Sequence, residues 1–393
     1  MSAPSPPSKI PTPDDVRGVL GGVLDPELNV SIVDLGMVRD IRVEPSGDIV
    51  VKIALTTAGC PLRGQIANDV RSKVAGLPGA GATRVEYGEM TQDERSALMQ
   101  RARLHASRNA PPTAVPATTR VIAVGSGKGG VGKSSITANL AAALAARGLT
   151  VGVLDADIWG FSIPRMLGVR GRLAGIKTDD GKGKIVPHEI PVGAGRLRVV
   201  SMGLLVDDEH TALMWRGLIL AKALEQFLVD VAWGDLDYLL IDMPPGTGDI
   251  QMALSRLLPQ TEMLVVTTPA KGAQKVAARV ADMARRSYLK VLGVVENMSE
   301  FVAPDGSRHA IFGSGGGARL ASMTGAPLVG AVPIEPAVSD SGDSGTPVVL
   351  AAPESAAARE LAQIAERIVT ELFPPVEMSG CTARIFELAQ KPA

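Results

Sequence analysis

The sequence predicts an α/β protein: a doubly wound, mostly parallel sheet preceded by a small α+β domain. Three observations point to it. From Arg120 onward, short apolar runs alternate with helical segments. Runs that are apolar on successive residues suit strands buried on both faces, as parallel strands covered by helices are. Before Arg120 the elements read α-β-β-α-β, with alternating strands, as a two-layer α+β unit does. Between the two, Asn109–Thr119 (NAPPTAVPATT) has the Pro/Ala/Thr composition of an exposed linker.

In chain order, residues 1–13 are rich in Pro and Ser, hold Lys9 as their one basic residue, and read as a disordered leader. The small domain, 14–90, begins with a helical segment at Val16–Leu24 and the turn-rich Asp25-Pro26-Glu27. Strands follow at Val38–Val43 and Ile49–Leu55, then a helix from about Pro61 to Leu77 and a strand around Thr83–Tyr87. Residues 91–119 make a linker, helical in its polar first part and Pro-rich in its second. The large domain, 120–372, has strand candidates at Val121–Val124, Val151–Leu154, Leu197–Ser201, Tyr238–Ile241, Met263–Thr267, Val291–Val295 and Leu328–Val332. Its last helical segment runs from about Ser355 to Phe373, and the tail, 373–393, reads as extended or disordered.

Composition excludes several functions. Forty Lys and Arg against 41 Asp and Glu leave a net charge of −1, which gives no electrostatic case for nucleic acid or anionic lipid as the main partner. No run approaches the roughly 20 apolar residues of a membrane span, and no export signal opens the chain, so a cytoplasmic protein is expected. The two cysteines, Cys60 and Cys381, cannot make a disulfide framework, which agrees with a reducing compartment. Nor can they supply, within one chain, the four thiolates of an ordinary iron–sulfur cluster.

The strongest motif is Gly127-Lys128-Gly129-Gly130-Val131-Gly132-Lys133-Ser134-Ser135, between the strand Val121–Val124 and a helix that Gly148 stops. It satisfies the phosphate-loop pattern in the context that pattern needs. Glycines let backbone N–H groups turn inward onto phosphate oxygens, and the helix N-terminus adds its dipole. Lys133 can reach β- and γ-phosphates, and Ser134 can offer a hydroxyl to Mg²⁺. A second strand ends in Asp242, followed by the loop Met243-Pro244-Pro245-Gly246-Thr247-Gly248-Asp249. Asp242 suits a metal-holding carboxylate, or else a cap on the next element. A third ends in Asp155-Ala156-Asp157, where Asp157 is favoured to orient or activate the attacking water and Asp155 to serve structurally; both could instead be strand-end caps.

With its early lysine, Lys128-Gly129-Gly130-Val131-Gly132-Lys133-Ser134 resembles the deviant phosphate loop of the MinD/ParA class of ATPases. The resemblance implies a homodimer around two ATP molecules, with Lys128 reaching the partner's phosphates, Asp157 at the water, and Mg²⁺ held by Ser134 and Asp242. It also implies that Asn297 reads adenine, with Pro333 nearby; from the residues alone, Asn297 is equally a strand-end turn residue. Asp155–Gly160, Asp242–Asp249 and Glu296-Asn297-Met298-Ser299 are similar to the Mrp/ApbC iron–sulfur cluster carriers. Asp25-Pro26-Glu27, Ile32–Gly36 and Thr57–Pro61 resemble the small iron–sulfur assembly domain that precedes the ATPase in many of them.

In one place the chain departs from that family. Where the carriers hold Cys-x-x-Cys for a bridging cluster, this chain has Ala303 and Gly306. His309 nearby is one imidazole against two thiolates. Cys60, before Pro61 at a loop-to-helix junction, is the remaining thiol candidate for cluster handling, or a small buried turn residue. The resemblance therefore implies a Mg²⁺-dependent ATPase that carries clusters to apoproteins alongside the assembly machinery. The alternatives are an ATPase of the same class that lacks the bridging site and acts as a regulatory scaffold, and a MinD/ParA-like positioning ATPase. Against the last, the C-terminal helix sets Glu360, Glu366 and Glu371 against Arg359 and Arg367, which is not a lipid-seeking pattern.

Overall fold

Helix α1 (Pro13–Leu20) starts where the sequence supplies a capping box. The Thr12 hydroxyl accepts the Asp15 N–H at 3.2 Å, the Asp15 carboxylate accepts the Thr12 N–H at 2.8 Å, and Pro13 takes the first helical position. The computed structural model describes residues 10–26, 30–56, 62–157, 160–177, 183–205, 217–246, 248–287, 289–303 and 307–373. The chain divides into two units, Met1–Ala110 and Pro111–Ala393.

In the first unit, β1 (Val38–Val43) pairs antiparallel with β2 (Ile49–Leu55). Helix α2 (Arg63–Val74) then carries the chain over to β3 (Thr83–Glu89), which runs parallel to β2. The sheet closes on α1 and α2 through Val16, Leu20, Ile49, Ile53, Ile66 and Val70, each almost fully buried. The stretch expected as a linker divides in two, because α3 (Gln92–Asn109) is held on this unit by polar contacts. Arg39 Nε donates to Glu94 at 2.9 Å, Arg95 to the Thr56 carbonyl at 3.1 Å, and Arg101 to the Leu35 carbonyl at 3.2 Å. The hydrogen bond from Arg39, with the Thr91 N–H, holds the Glu94 carboxyl down at about 2.

The second unit opens with β4 (Arg120–Ser126), α4 (Lys133–Ala146), β5 (Thr150–Asp155) and the short α5 (Ile163–Met166). Next, β6 (Ala174–Lys177) and β7 (Gly183–Val186) pair as a separate ribbon, and β8 (His188–Val192) turns antiparallel into β9 (Gly195–Ser201). Then come α6 (Gly217–Asp230), β10 (Tyr238–Asp242), α7 (Gly248–Leu257), β11 (Glu262–Thr267) and α8 (Lys271–Arg286). The chain continues through β12 (Lys290–Val302), β13 (Arg308–His309), α9 (Gly316–Thr324) and β14 (Leu328–Ile334). It ends in α10 (Pro336–Ser344), α11 (Val348–Ala351) and α12 (Ala356–Arg367).

The sheet order is β14-β12-β11-β4-β10-β5-β9-β8, parallel except for β8, with β13 antiparallel on the far end of β12. Strand pleating explains the continuous apolar runs. Ile122 and Val124 of β4 pack with Leu140 and Leu144 of α4, while Val121 and Ala123 join the opposite core with Leu228 of α6 and Leu254 of α7. Each large aliphatic side chain buried this way contributes about 1.5–3 kcal/mol. The fold is thus the expected doubly wound α/β architecture with a small α+β unit before it. Strand β4 lies between β10 and β11, with successive crossovers leaving to either side. The carboxyl ends of the strands at such a reversal form the ligand crevice of an open α/β sheet. Among the described residues, no helix is long and apolar enough to cross a membrane.

Candidate nucleotide-binding site

At that crevice β4 ends in Ser126, the chain turns through Gly127–Gly132, and α4 begins at Lys133. The Ser126 hydroxyl donates to the Lys128 carbonyl at 3.1 Å, and Val131 is buried, so the loop is pinned from within. Two glycines here are obligatory. Gly132 has φ +80°, and a Cβ on it would collide with Asn297 Nδ2. A Cβ on Gly127 would collide with the backbone of Val276 and Ala277 in α8. Gly132→Ala is therefore expected to cost roughly 1–3 kcal/mol of stability and to weaken nucleotide binding. Urea unfolding and titration with a fluorescent ATP analogue check both, and wild-type values in each would contradict the geometry.

Helix α4 and strands β5 and β10 bring one cation and two carboxylates together. Lys133 Nζ lies 2.7 Å from Asp242 Oδ1 and 3.8 Å from Asp157 Oδ2. The Ser134 hydroxyl donates to Asp242 Oδ2 at 2.6 Å. The Thr137 hydroxyl, one turn further along α4, is 3.0 Å from both Asp242 Oδ1 and the Lys133 carbonyl and can give its proton to one at a time. Asp242 is fully buried, Lys133 6% exposed and Asp157 8%. A carboxylate at that depth persists because an ammonium and hydroxyls meet it.

Asp155, also fully buried, faces a different set of donors. Its Oδ1 accepts the Asp157 N–H at 3.1 Å, and its Oδ2 accepts the N–H groups of Ser162 and Ile163 at 3.2 and 3.3 Å and the Ser201 hydroxyl at 3.1 Å. Burial, reinforced by the nearby Asp242 carboxylate, pushes its carboxyl up, while the Asp157 N–H, Lys133 and the Ser201 hydroxyl favour its charged form.

On the other side of the loop, β12 runs well beyond the expected Val291–Val295. Asn297 Nδ2 donates to the Val131 carbonyl at 2.9 Å, which ties the strand end to the phosphate loop. Its neighbour Glu296 turns to the opposite face and accepts the Gly317 N–H at the start of α9. Met298 takes a left-handed backbone, φ +56°, and the strand then runs on towards its pairing with β13. Asn297 pairs in register with Val332, so Pro333 is the next residue on the adjacent strand.

Gly127, Gly129, Gly130, Val131, Gly132, Lys133, Ser134, Asp157, Asp242 and Asn297 thus gather at one crevice, with Pro333 at its β14 side. Lys128 lies exposed on the loop, and Ser135 is half-buried at the start of α4. Ala303, whose N–H is 2.9 Å from the Ser307 carbonyl, closes the turn between β12 and β13 and offers no ligand atom on its side chain. Cys60, Cys381 and Gly306 lie outside the described residues. Sequence reading missed Thr137 and Ser201. Thr137 had a usable signal, four residues after Lys133 on a helix; Ser201 had none until the β5–β9 pairing was known.

The site fits Mg²⁺ by its donor chemistry, since Ser134 and Asp242 present a hydroxyl and a carboxylate side by side, hard oxygen ligands suited to a cation that retains several waters.

Two family models match the chain: NUBPL iron-transfer P-loop NTPase over residues 117–369, and iron–sulfur cluster assembly protein over residues 13–87. An iron–sulfur cluster carrier protein of Mycobacterium bovis is 45% identical over 362 residues, 90% of this chain and 92% of its own. That of Deinococcus radiodurans is 44% identical over 361 residues, 91% of this chain and 95% of its own. A solved nucleotide-binding protein from Archaeoglobus fulgidus in complex with ADP is 36% identical, spans 57% of this chain and 86% of its own, and superposes with a TM-score of 0.48.

Proposed function

The chain belongs to the iron–sulfur cluster carrier family of P-loop NTPases, and we propose that it acts as a homodimeric, Mg²⁺-dependent ATPase that delivers iron–sulfur clusters to apoproteins. The convergence of Lys133, Ser134, Asp157 and Asp242 at the phosphate loop supports it most directly. An ammonium shared by two buried carboxylates is poised for exchange: a triphosphate brings competing charge, draws Lys133 onto its β- and γ-oxygens and frees both acids. Asp242, with Ser134, would hold Mg²⁺, which when bound neutralises charge on the phosphates. Asp157 is then left to orient the attacking water and accept its proton. Lys128, exposed at the mouth, is the residue to reach the phosphates of a second copy. Asn297, already anchored to the loop through its Nδ2, keeps its carbonyl oxygen for an adenine amino group, with Pro333 beside it.

The cluster is cargo. Ala303 and Gly306 carry no thiolate, so the β12–β13 turn cannot hold it by two cysteines; Cys60 is the proposed thiol in the small unit. A reducing cytoplasm suits such a thiol. Anaerobic reconstitution with ferrous iron and sulfide, followed by transfer to an apo-enzyme whose activity needs a cluster, tests this. The wild type should bind iron and sulfide in equal amounts and restore the acceptor, and Cys60→Ala should lose both. A wild-type dimer that takes up neither element would remove the carrier role for this chain.

A further inference from the structure

Asp155 has no task in the chemistry above, yet it is the most heavily engaged carboxylate near the crevice. Four donors from three segments converge on it: the Asp157 N–H two residues on, the Ser162 and Ile163 N–H groups that open α5, and the Ser201 hydroxyl from the neighbouring strand β9. The chain that leaves β5 at Asp155 thus begins and ends its excursion on the same side chain. Ser201 is itself fixed: it is fully buried, in register with Asp155, and its oxygen accepts the Gly203 N–H at 3.1 Å.

We infer that Asp155 and Ser201 are positioning residues for ATP hydrolysis, the Ser201 hydroxyl fixing the Asp155 carboxylate and that carboxylate fixing the backbone from which Asp157 reaches the reacting water. Neither residue touches the nucleotide. Their effect passes through one backbone N–H, at Asp157, whose side chain comes to within 3.8 Å of Lys133. Catalytic groups act only within narrow limits of distance and angle, so a loosened Asp157 slows the chemical step and leaves binding alone. The inference rests on the hydrolytic function proposed above.

The test compares kcat, KM and the affinity for a fluorescent ATP analogue in Ser201→Ala, Asp155→Asn and Asp157→Ala, alone and combined, with thermal melting as a check on folding. Ser201→Ala, which deletes one donor and little volume, should lower kcat about two- to tenfold, the scale of a single hydrogen bond, at unchanged nucleotide affinity. Asp155→Asn turns an amide NH₂ towards N–H donors and should lower kcat roughly ten- to thirtyfold. On the Asp157→Ala background neither change should slow turnover further, since residues that act through one group are not additive. The positioning role is overturned if Ser201→Ala keeps wild-type kcat, if its effect multiplies with Asp157→Ala, or if affinity falls in step with kcat. A wild type that does not hydrolyse ATP at all would remove the hydrolytic function and the positioning role together; hydrolysis by the wild type with full activity in Ser201→Ala removes only the second.

Discussion

Lys133→Ala is expected to lower ATP turnover by at least about 10²-fold, the scale seen when one preorganised donor to transition-state charge is removed. The residue has two duties. It is the cation that the phosphate loop aims at transferring phosphoryl oxygens, and it is also the counter-ion of Asp242 and Asp157. Its removal leaves two buried carboxylates facing each other with no ammonium between them. Losing one partner of a buried ion pair costs about 3–5 kcal/mol where no compensation follows, so a lower melting temperature should accompany the lost turnover. Lys133→Arg separates the duties: it retains a positive charge against both acids and should recover much of the stability, while its planar, longer head misses the phosphates and turnover stays low. Single-turnover assays with radiolabelled ATP, read beside melting curves, make the comparison. Near-wild-type hydrolysis in Lys133→Ala would mean that the site has been assigned to the wrong lysine.

Asp157→Ala should behave differently: nucleotide affinity and ATP-induced dimerisation are kept, while hydrolysis slows by about 10²-fold, the lower range of a general-base contribution. Asp157 is the more distant of the two acids from Lys133, at 3.8 Å against 2.7 Å, and the only one that retains some exposure towards the crevice. Asp242 faces Lys133, Ser134 and Thr137 and is given to Mg²⁺ in the proposed function, which leaves Asp157 for the water. Size-exclusion chromatography with ATP, alongside turnover, distinguishes the roles. Loss of binding together with hydrolysis would make Asp157 part of the nucleotide cradle instead of its base.

Much of this was legible before the fold was known, because the relevant signals are local. Val121 to Ser135 puts strand, loop and helix in one contiguous stretch, and parallel strands buried on both faces announce themselves as unbroken apolar runs. Legibility fails where partners are remote or polar. The apolar pattern of β12 stops at Val295, where Glu296 and Asn297 interrupt it; their partners are a helix N-terminus and the phosphate loop, not the core. Helix α3 looks like part of a linker because few of its residues are apolar, yet arginine contacts to carbonyls and a carboxylate hold it. The ribbon of β6 and β7 was missed because β6 is exposed on both faces and so shows no alternation. Ser201 could not be foreseen, since its contact with Asp155 exists only through the pairing of β5 with β9.

The glycine that opens the phosphate loop has a mechanical consequence. Gly127 rests directly on the main chain of α8, where Val276 and Ala277 leave no room even for a methyl group. Contacts between side chains absorb small displacements by rotamer changes, but two backbones in van der Waals contact have no such cushion. Any side chain at position 127 would therefore have to displace α8 itself, so the entrance of the loop and the path of that helix are set by one another.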